Sequence, residues 1–230
     1  YKRQSQVTQK MKKRKEASST DKRNFQKQFL EAKKKEIQSW IDHEVYELVD
    51  IRKLPAEQKK NFVTGRWVLT IKRTKDGYFE KCKARWVLRG FQDKQRHEQQ
   101  TDSPAATRPG FRLAASAAAN HYWDLTHMDL KTAFLQGKAY DETRNVLCEL
   151  PKEAGHPWYM VAWMKKPAYG LNDAPRRWWN EVDEKLRSYG LVPTRADRCT
   201  YVLYHENAHE KVLGPKSPQR LDQKSFSPKN

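Results

Sequence analysis

The run from Phe62 to Phe91 constrains the fold more than any other stretch of this chain. Two β-rich segments flank Lys75-Asp76-Gly77, and Asp-Gly between such segments is a strong hairpin signal. The second arm alternates. Lys81, Lys83 and Arg85 share one side of a strand, and Cys82, Ala84, Trp86 and Leu88 share the other. Arg89 lies close to the same series. Such a strand packs on one side and presents charge on the other. The chain therefore contains a sheet with a cationic, solvent-facing surface.

The charge is general. Lys and Arg number 46 against 28 Asp and Glu, a formal net charge of +18. A field of that sign attracts phosphate backbones, acidic proteins or anionic surfaces. Eight Trp and an aromatic share of 11% argue against a wholly disordered basic protein. Three scattered cysteines, Cys82, Cys148 and Cys199, form no Cys-x-x-Cys pair, which excludes the usual zinc spacing and points to a reducing, intracellular setting. No apolar run is long enough to span a bilayer, and no apolar segment marks a secretory signal near the start. The first residue is Tyr1, as expected of a fragment.

Residues 1 to about 36 hold thirteen Lys/Arg against four Asp/Glu. Lys12-Lys13-Arg14-Lys15 reads as a solvated tail or as a nucleic-acid or nuclear-localisation patch. A disordered basic arm is expected over 1–28. Phe25, Phe29, Ala32, Ile37 and Trp40 recur at helical spacing. Residues 45–50 read as a strand, and Phe111 to Asn120 as an Ala-rich helix. Further strands are expected over Tyr122 to Asp129, Val146 to Leu150, Tyr159 to Met164 and Thr200 to Tyr204. Ala174 to Tyr189 reads as a helix with Pro175 early and Gly190 past its end. Residues 207–230 carry two Ser-Pro pairs and no period, and are expected to be a disordered tail. His205 and His209 are four apart without a third ligand and read as surface. The order of elements is α+β.

One carboxylate stands out. Asp129 falls at the end of the expected strand, after apolar Leu125 and Met128, with Phe134 five positions on. A lone Asp at a strand end is ordinarily a turn former. An Asp and a ring so spaced also suit a bound nucleotide, with the carboxylate holding a hard cation and the ring against the sugar. His127-Met128-Asp129-Leu130-Lys131-Thr132-Ala133-Phe134-Leu135-Gln136-Gly137 resembles motif A of the reverse transcriptases of Ty1/copia-type LTR retrotransposons. That family's pattern is Met-Asp-Val-Lys-Thr-Ala-Phe-Leu-x-Gly. Gly65-Arg66-Trp67-Val68 through Lys72, with Lys83-Ala84-Arg85-Trp86-Val87-Leu88-Arg89-Gly90-Phe91, resembles the fingers hairpin. Tyr169-Gly170-Leu171-Asn172-Asp173-Ala174-Pro175-Arg176-Arg177-Trp178 resembles motif B, and Asp197-Arg198-Cys199-Thr200-Tyr201 the segment before motif C. The resemblance runs from about Phe29 to Tyr204.

The resemblance implies a right-hand polymerase, with fingers and partial palm over 29–206. It implies RNA-directed DNA synthesis by two-metal nucleotidyl transfer, with Mg²⁺, dNTP, an RNA template and a DNA primer. Asp129 would be the catalytic, metal-holding carboxylate. Lys72, Arg85, Lys131, Phe134 and Gly170 would bind the nucleotide, with Phe134 excluding a ribose 2′-OH. Lys83, Pro175 and Arg176 would serve template and primer. Read without the resemblance, Lys72 and Arg85 are equally ordinary hairpin charges, Phe134 a core residue and Gly170 a turn glycine.

Two departures qualify this. The family's Tyr-Val-Asp-Asp is due within about twenty residues of Tyr204 and is absent, so the fold is expected to stop before the motif C hairpin and the fragment to be inactive. Asn172-Asp173-Ala174 replaces the usual Lys-Gln-Ser, which puts an acidic group near the expected template path. A non-catalytic basic nucleic-acid-binding protein of retrotransposon origin is the alternative. A third possibility is a product that folds poorly.

Overall fold

A computed structural model describes residues 16–204. The helices are α1 (Ser19–Asn24), α2 (Gln26–Asp42), α3 (Ala56–Lys59), α4 (Arg108–Asn120) and α5 (Ala174–Ser188). The strands are β1 (Tyr46–Asp50), β2 (Phe62–Val63), β3 (Gly65–Arg73), β4 (Phe79–Leu88), β5 (Leu147–Cys148), β6 (Met160–Met164), β7 (Val192–Pro193) and β8 (Tyr201–Val202). The fold is mixed α and β, as expected. The described residues divide into two compact units, one of 16–101 with 132–178, the other of 102–131 with 179–204. No helix among them is long and apolar enough to cross a membrane.

The first unit has a four-stranded sheet in the order β1-β6-β5-β2. β1 runs antiparallel to β6, pairing Tyr46 with Met164 and Asp50 with Met160. β5 runs antiparallel to β6 and parallel to β2. Val45, Val63, Val146, Cys148, Ala162 and Met164 bring the apolar side chains of these strands and their edges into one core with Trp40 and Leu135.

β3 and β4 form the expected hairpin, in register from Gly65–Leu88 to Lys72–Lys81, with a shift before Arg73 pairs with Phe79. Gly77, at φ +89°, closes the turn. The alternation holds: Lys81, Lys83 and Arg85 are exposed, whereas Ala84, Trp86 and Leu88 are buried. Trp67 and Trp86 face each other across the strands with ring centroids 5.2 Å apart, a favourable edge-to-face pair. α2 packs on β4 and buries Phe29 and Trp40 at the predicted helical spacing. Phe29, Leu69 and Ala84 make a second cluster under the hairpin.

This cluster shortens the expected basic arm. Ala17 belongs to it, and its N–H donates to the Leu69 carbonyl at 2.7 Å. Ser18 then caps α1 in a reciprocal box with Asp21. Charge density along the sequence suggested an open arm through residue 28, yet a capped turn and one buried alanine order residues 17–24. Lys12-Lys13-Arg14-Lys15, His205, His209 and the tail at 207–230 lie outside the described residues.

In the second unit, Thr107 caps α4 and its hydroxyl accepts from Gly110 N–H. The Asp197 carboxylate accepts from Thr107 N–H at 2.7 Å, Thr107 O–H at 2.8 Å and Cys199 N–H at 2.8 Å. A side chain at Gly110 would overlap the Asp197 carboxylate, so glycine makes room for this tie. Those backbone donors hold Asp197 below the usual carboxylate range, Thr107 first. β7 and β8 form a short antiparallel pair. The expected strand at 200–204 is thus reduced to Tyr201–Val202, as that at 146–150 is reduced to Leu147–Cys148.

The expected strand from Tyr122 to Asp129 does not form. Residues 123–130 belong to no helix or sheet, and Leu125, Met128 and Leu130 are exposed. A strand needs a neighbour to take its N–H and C=O groups. The sheets of the described residues include no neighbour for this segment.

Candidate functional site

The residues singled out from sequence divide between the two units. Asp129 and Lys131 belong to the second, and both are exposed. Lys72, Lys83, Arg85, Phe134, Gly170, Pro175 and Arg176 belong to the first.

Within the first unit, three of the expected nucleotide-binding residues come together around a fourth that the sequence reading left without a role. The Arg85 guanidinium stands over the Tyr169 ring, 5.2 Å from its centroid. Phe134 packs on the same ring at 5.7 Å and an interplanar angle of 58°. Gly170 follows directly. Burial pushes the Tyr169 phenol above its ordinary range, with the Glu36 carboxylate raising it further and Arg85 acting against both. The signal in the sequence was the position of Tyr169 immediately before Gly170.

Gly170 is more than a turn glycine. Its φ is +96°, and a Cβ there would overlap the Leu88 carbonyl. The Leu88 N–H donates to the Tyr169 carbonyl at 2.8 Å. The Tyr169-Gly170 backbone is therefore pressed on the end of β4, which fixes Tyr169 beneath Arg85.

Phe134 sits in a 3₁₀ turn, Ala133–Gln136, that begins after Thr132 in the left-handed region at φ +52°. It is half-buried and packs against the main core as well as against Tyr169. Lys72 is engaged with Glu80 at 2.8 Å near the hairpin tip. Lys83 is exposed on the cationic face. Pro175 and Arg176 occupy the first turn of α5 and are half-buried.

Asp173 requires a correction. Sequence placed an acidic group near a template path, but Asp173 is only 1% exposed. Its Oδ2 lies 3.2 Å from Arg177 Nε and 3.6 Å from Arg144 Nε, and Tyr140 O–H donates to its Oδ1 at 3.3 Å. Two arginines neutralise it internally. Arg144, distant in sequence and outside every motif, gave no warning of this.

Glu36 was also missed. It lies on the buried stripe of α2, seven residues after Phe29 and four before Trp40, where a polar residue should have drawn notice. Its Oε1 accepts from Trp40 Nε1 at 3.3 Å and, at 3.4 Å, from Trp86 N–H. Burial raises its pKa, and those two donors only partly offset the effect.

The donor set for a divalent cation is thin. Among the described residues no group of three or more His, Cys, Asp or Glu side chains could hold a metal ion. One carboxylate, Asp129, does not provide the oxygen ligands that two hard cations require. The residues described do not fit a resident Mg²⁺ pair.

Residues 43–213 match the family described as "Reverse transcriptase (RNA-dependent DNA polymerase)". That is most of the chain, and with it the chain belongs to the reverse transcriptase family, in its copia-type branch. Relatives include the retrovirus-related Pol polyprotein from transposon TNT 1-94 of Nicotiana tabacum, 30% identical over 177 residues, which are 76% of this chain and 13% of the relative. The Pol polyproteins from transposons RE2 and RE1 of Arabidopsis thaliana are 30% and 29% identical over 171 residues, 73% of this chain and 11% of each relative. The chain thus spans a small part of the relatives it matches. No solved structure matches it.

Proposed function

We propose that this chain carries the substrate-facing wall of an RNA-directed DNA polymerase's fingers and palm, and that its 230 residues bind template and primer without extending them. One observation carries the reading: Arg85, Tyr169 and Phe134 form a single cation–ring–ring assembly, while Asp129 is exposed and belongs to no cluster of three or more possible metal ligands among the described residues. In this reading Arg85 meets the triphosphate with its planar fork, assisted by Lys72, and Lys131 is a nucleotide-binding residue by the family motif alone. Phe134 crowds the sugar 2′ position, and Gly170 lets backbone approach the base. Lys83, Pro175 and Arg176 face template and primer. Asp129 is the family's catalytic, metal-holding carboxylate, and Mg²⁺ the family's ion. Without the Tyr-Val-Asp-Asp pair, metal-held transfer chemistry is lost and electrostatic binding remains.

The test pairs primer extension with binding, on an RNA template annealed to a DNA primer with Mg²⁺ and dNTPs. The expected result is no extension, together with binding that weakens steeply as salt rises. Robust extension that Asp129→Ala abolishes would overturn the inactivity. Absence of any affinity at low salt would overturn the binding.

A further inference from the structure

We infer that Trp158 is the stacking platform of a single-stranded nucleic-acid subsite, built on the turns that join β1 and β6 to their flanking segments and independent of the polymerase reading above. Trp158 is 81% exposed. Isolated exposed side chains are common, but this one is held by a built scaffold. Its ring meets Tyr159 edge-on, with centroids 5.8 Å apart and planes at 85°. Tyr159 is in turn covered by the Arg52 guanidinium, 3.7 Å from its centroid. Arg52 is locked by a two-pronged pair to Asp50, with Nε to Oδ1 at 3.0 Å and Nη2 to Oδ2 at 2.7 Å.

The backbone fixes the same step. Asp50 pairs with Met160 in the β1–β6 ladder, and Ile51 N–H extends the contact by donating to the Tyr159 carbonyl at 2.9 Å. Met160 N–H donates to the Pro157 carbonyl at 2.9 Å, which closes a turn around Trp158. A broad aromatic face is thus presented to solvent at little remaining cost in conformational entropy. That is the usual design of a recognition anchor rather than of packing.

Charge selects the occupant. Four acidic residues flank these turns, and each has a partner: Glu57 takes Lys60 at 2.6 Å, and Glu149 accepts from Gly65 N–H at 3.4 Å. Asp50 is held by Arg52, and Glu153 by Lys33 at 2.6 Å and Trp67 Nε1 at 2.9 Å. Lys53 and Lys152, on the same two turns, are exposed, on a chain of net charge +18. An exposed ring on a basic chain, with Arg52 stacked on its neighbour Tyr159, is the combination that takes an unpaired base and its phosphate, with little sequence preference. A duplex, whose bases are already stacked, offers the ring nothing.

The experiment titrates the full chain into a fluorescently labelled oligouridylate of about twelve nucleotides and into an RNA duplex of similar length, reading anisotropy. Trp158→Ala should weaken single-strand binding about tenfold and leave duplex binding unchanged. Trp158→Tyr should restore most of the loss. The salt dependence should not change, because no charge is removed. Exposure of the ring keeps the fold out of the result. Unchanged single-strand affinity in Trp158→Ala would overturn the proposal and leave the ring to a protein contact. An equal loss on the duplex would overturn it too. Duplex binding by the unaltered chain reports on the polymerase reading separately.

Discussion

Arg144 and Asp93 form a two-pronged ion pair in which each side chain is only 1% exposed: Nη2 reaches Oδ2 at 2.5 Å and Nη1 reaches Oδ1 at 3.0 Å. The pair does not stand alone. Asn61 Nδ2 donates to Asp93 Oδ1 at 2.9 Å, and Arg144 extends towards Asp173, which Arg177 also holds. Two guanidinium groups meet two carboxylates, so the cluster is neutral. It joins the segment after β4, the approach to β5 and the start of α5. Removing one member leaves a buried charge uncompensated, and this costs more than the pair itself contributes. Arg144→Met should destabilise the first unit by about 3–5 kcal/mol, measured by urea denaturation followed through tryptophan fluorescence.

The same pair sets an acid limit. Burial alone would raise Asp93, but hydrogen bonds from Arg144 and Asn61 outweigh it and hold the group below the usual carboxylate range. A depressed folded pKa contributes stability that is complete above the unfolded value and is lost as pH falls through the folded one. Stability should therefore decline below about pH 4. In Asp93→Asn this acid-dependent loss should be smaller, as read from urea midpoints across an acid pH series.

Glu36 carries the opposite sign. Its folded pKa is raised by burial, so the protonated form suits the fold. The associated stability is present below the unfolded pKa and is lost as pH rises through the folded one. Glu36→Gln keeps an oxygen to accept from Trp40 and Trp86 and removes the charge. The variant should melt higher than the parent near neutral pH, by about 2–4 °C, with the difference shrinking as pH falls through the raised folded value towards about 4. A melting series across that range decides it, and a gap that widens towards acid would contradict the assignment.

Gly170 and Gly77 share a positive φ but not their surroundings. A Cβ at Gly77 meets nothing within 4 Å, whereas at Gly170 it runs into the backbone of Leu88 and the Val87 side chain. Gly77→Ala should cost about 1 kcal/mol for the left-handed conformation alone. Gly170→Ala should cost about 3 kcal/mol or more, since β4 must move as well. Because that shift displaces Tyr169 from under Arg85, template–primer binding should weaken in Gly170→Ala and not in Gly77→Ala. Anisotropy at matched folded fractions checks this.

Much of the fold was legible where local pattern and burial agree. The period of two in β4 and the helical stripe of Phe29 and Trp40 each bury one face, and each recurs as read. The resemblance to copia-type reverse transcriptases was equally legible, because motif order survives at 30% identity. Less was legible where a residue's partner is remote. The apolar residues before Asp129 suggest a strand, but pairing is a property of two segments. Asp173 looks like a surface acid, but Arg144 and Arg177 enclose it.

The sequence by itself determined the family and the cationic face of the hairpin, since each depends on residue identity and spacing along one strand or motif. Only the tertiary structure decided that Tyr169 lies between Arg85 and Phe134, that Gly170 presses on Leu88, and that Asp173 and Glu36 are interior groups. Those facts depend on contacts closed across long loops, and a carboxylate's charge, burial and partners are set by whichever segments fold against it.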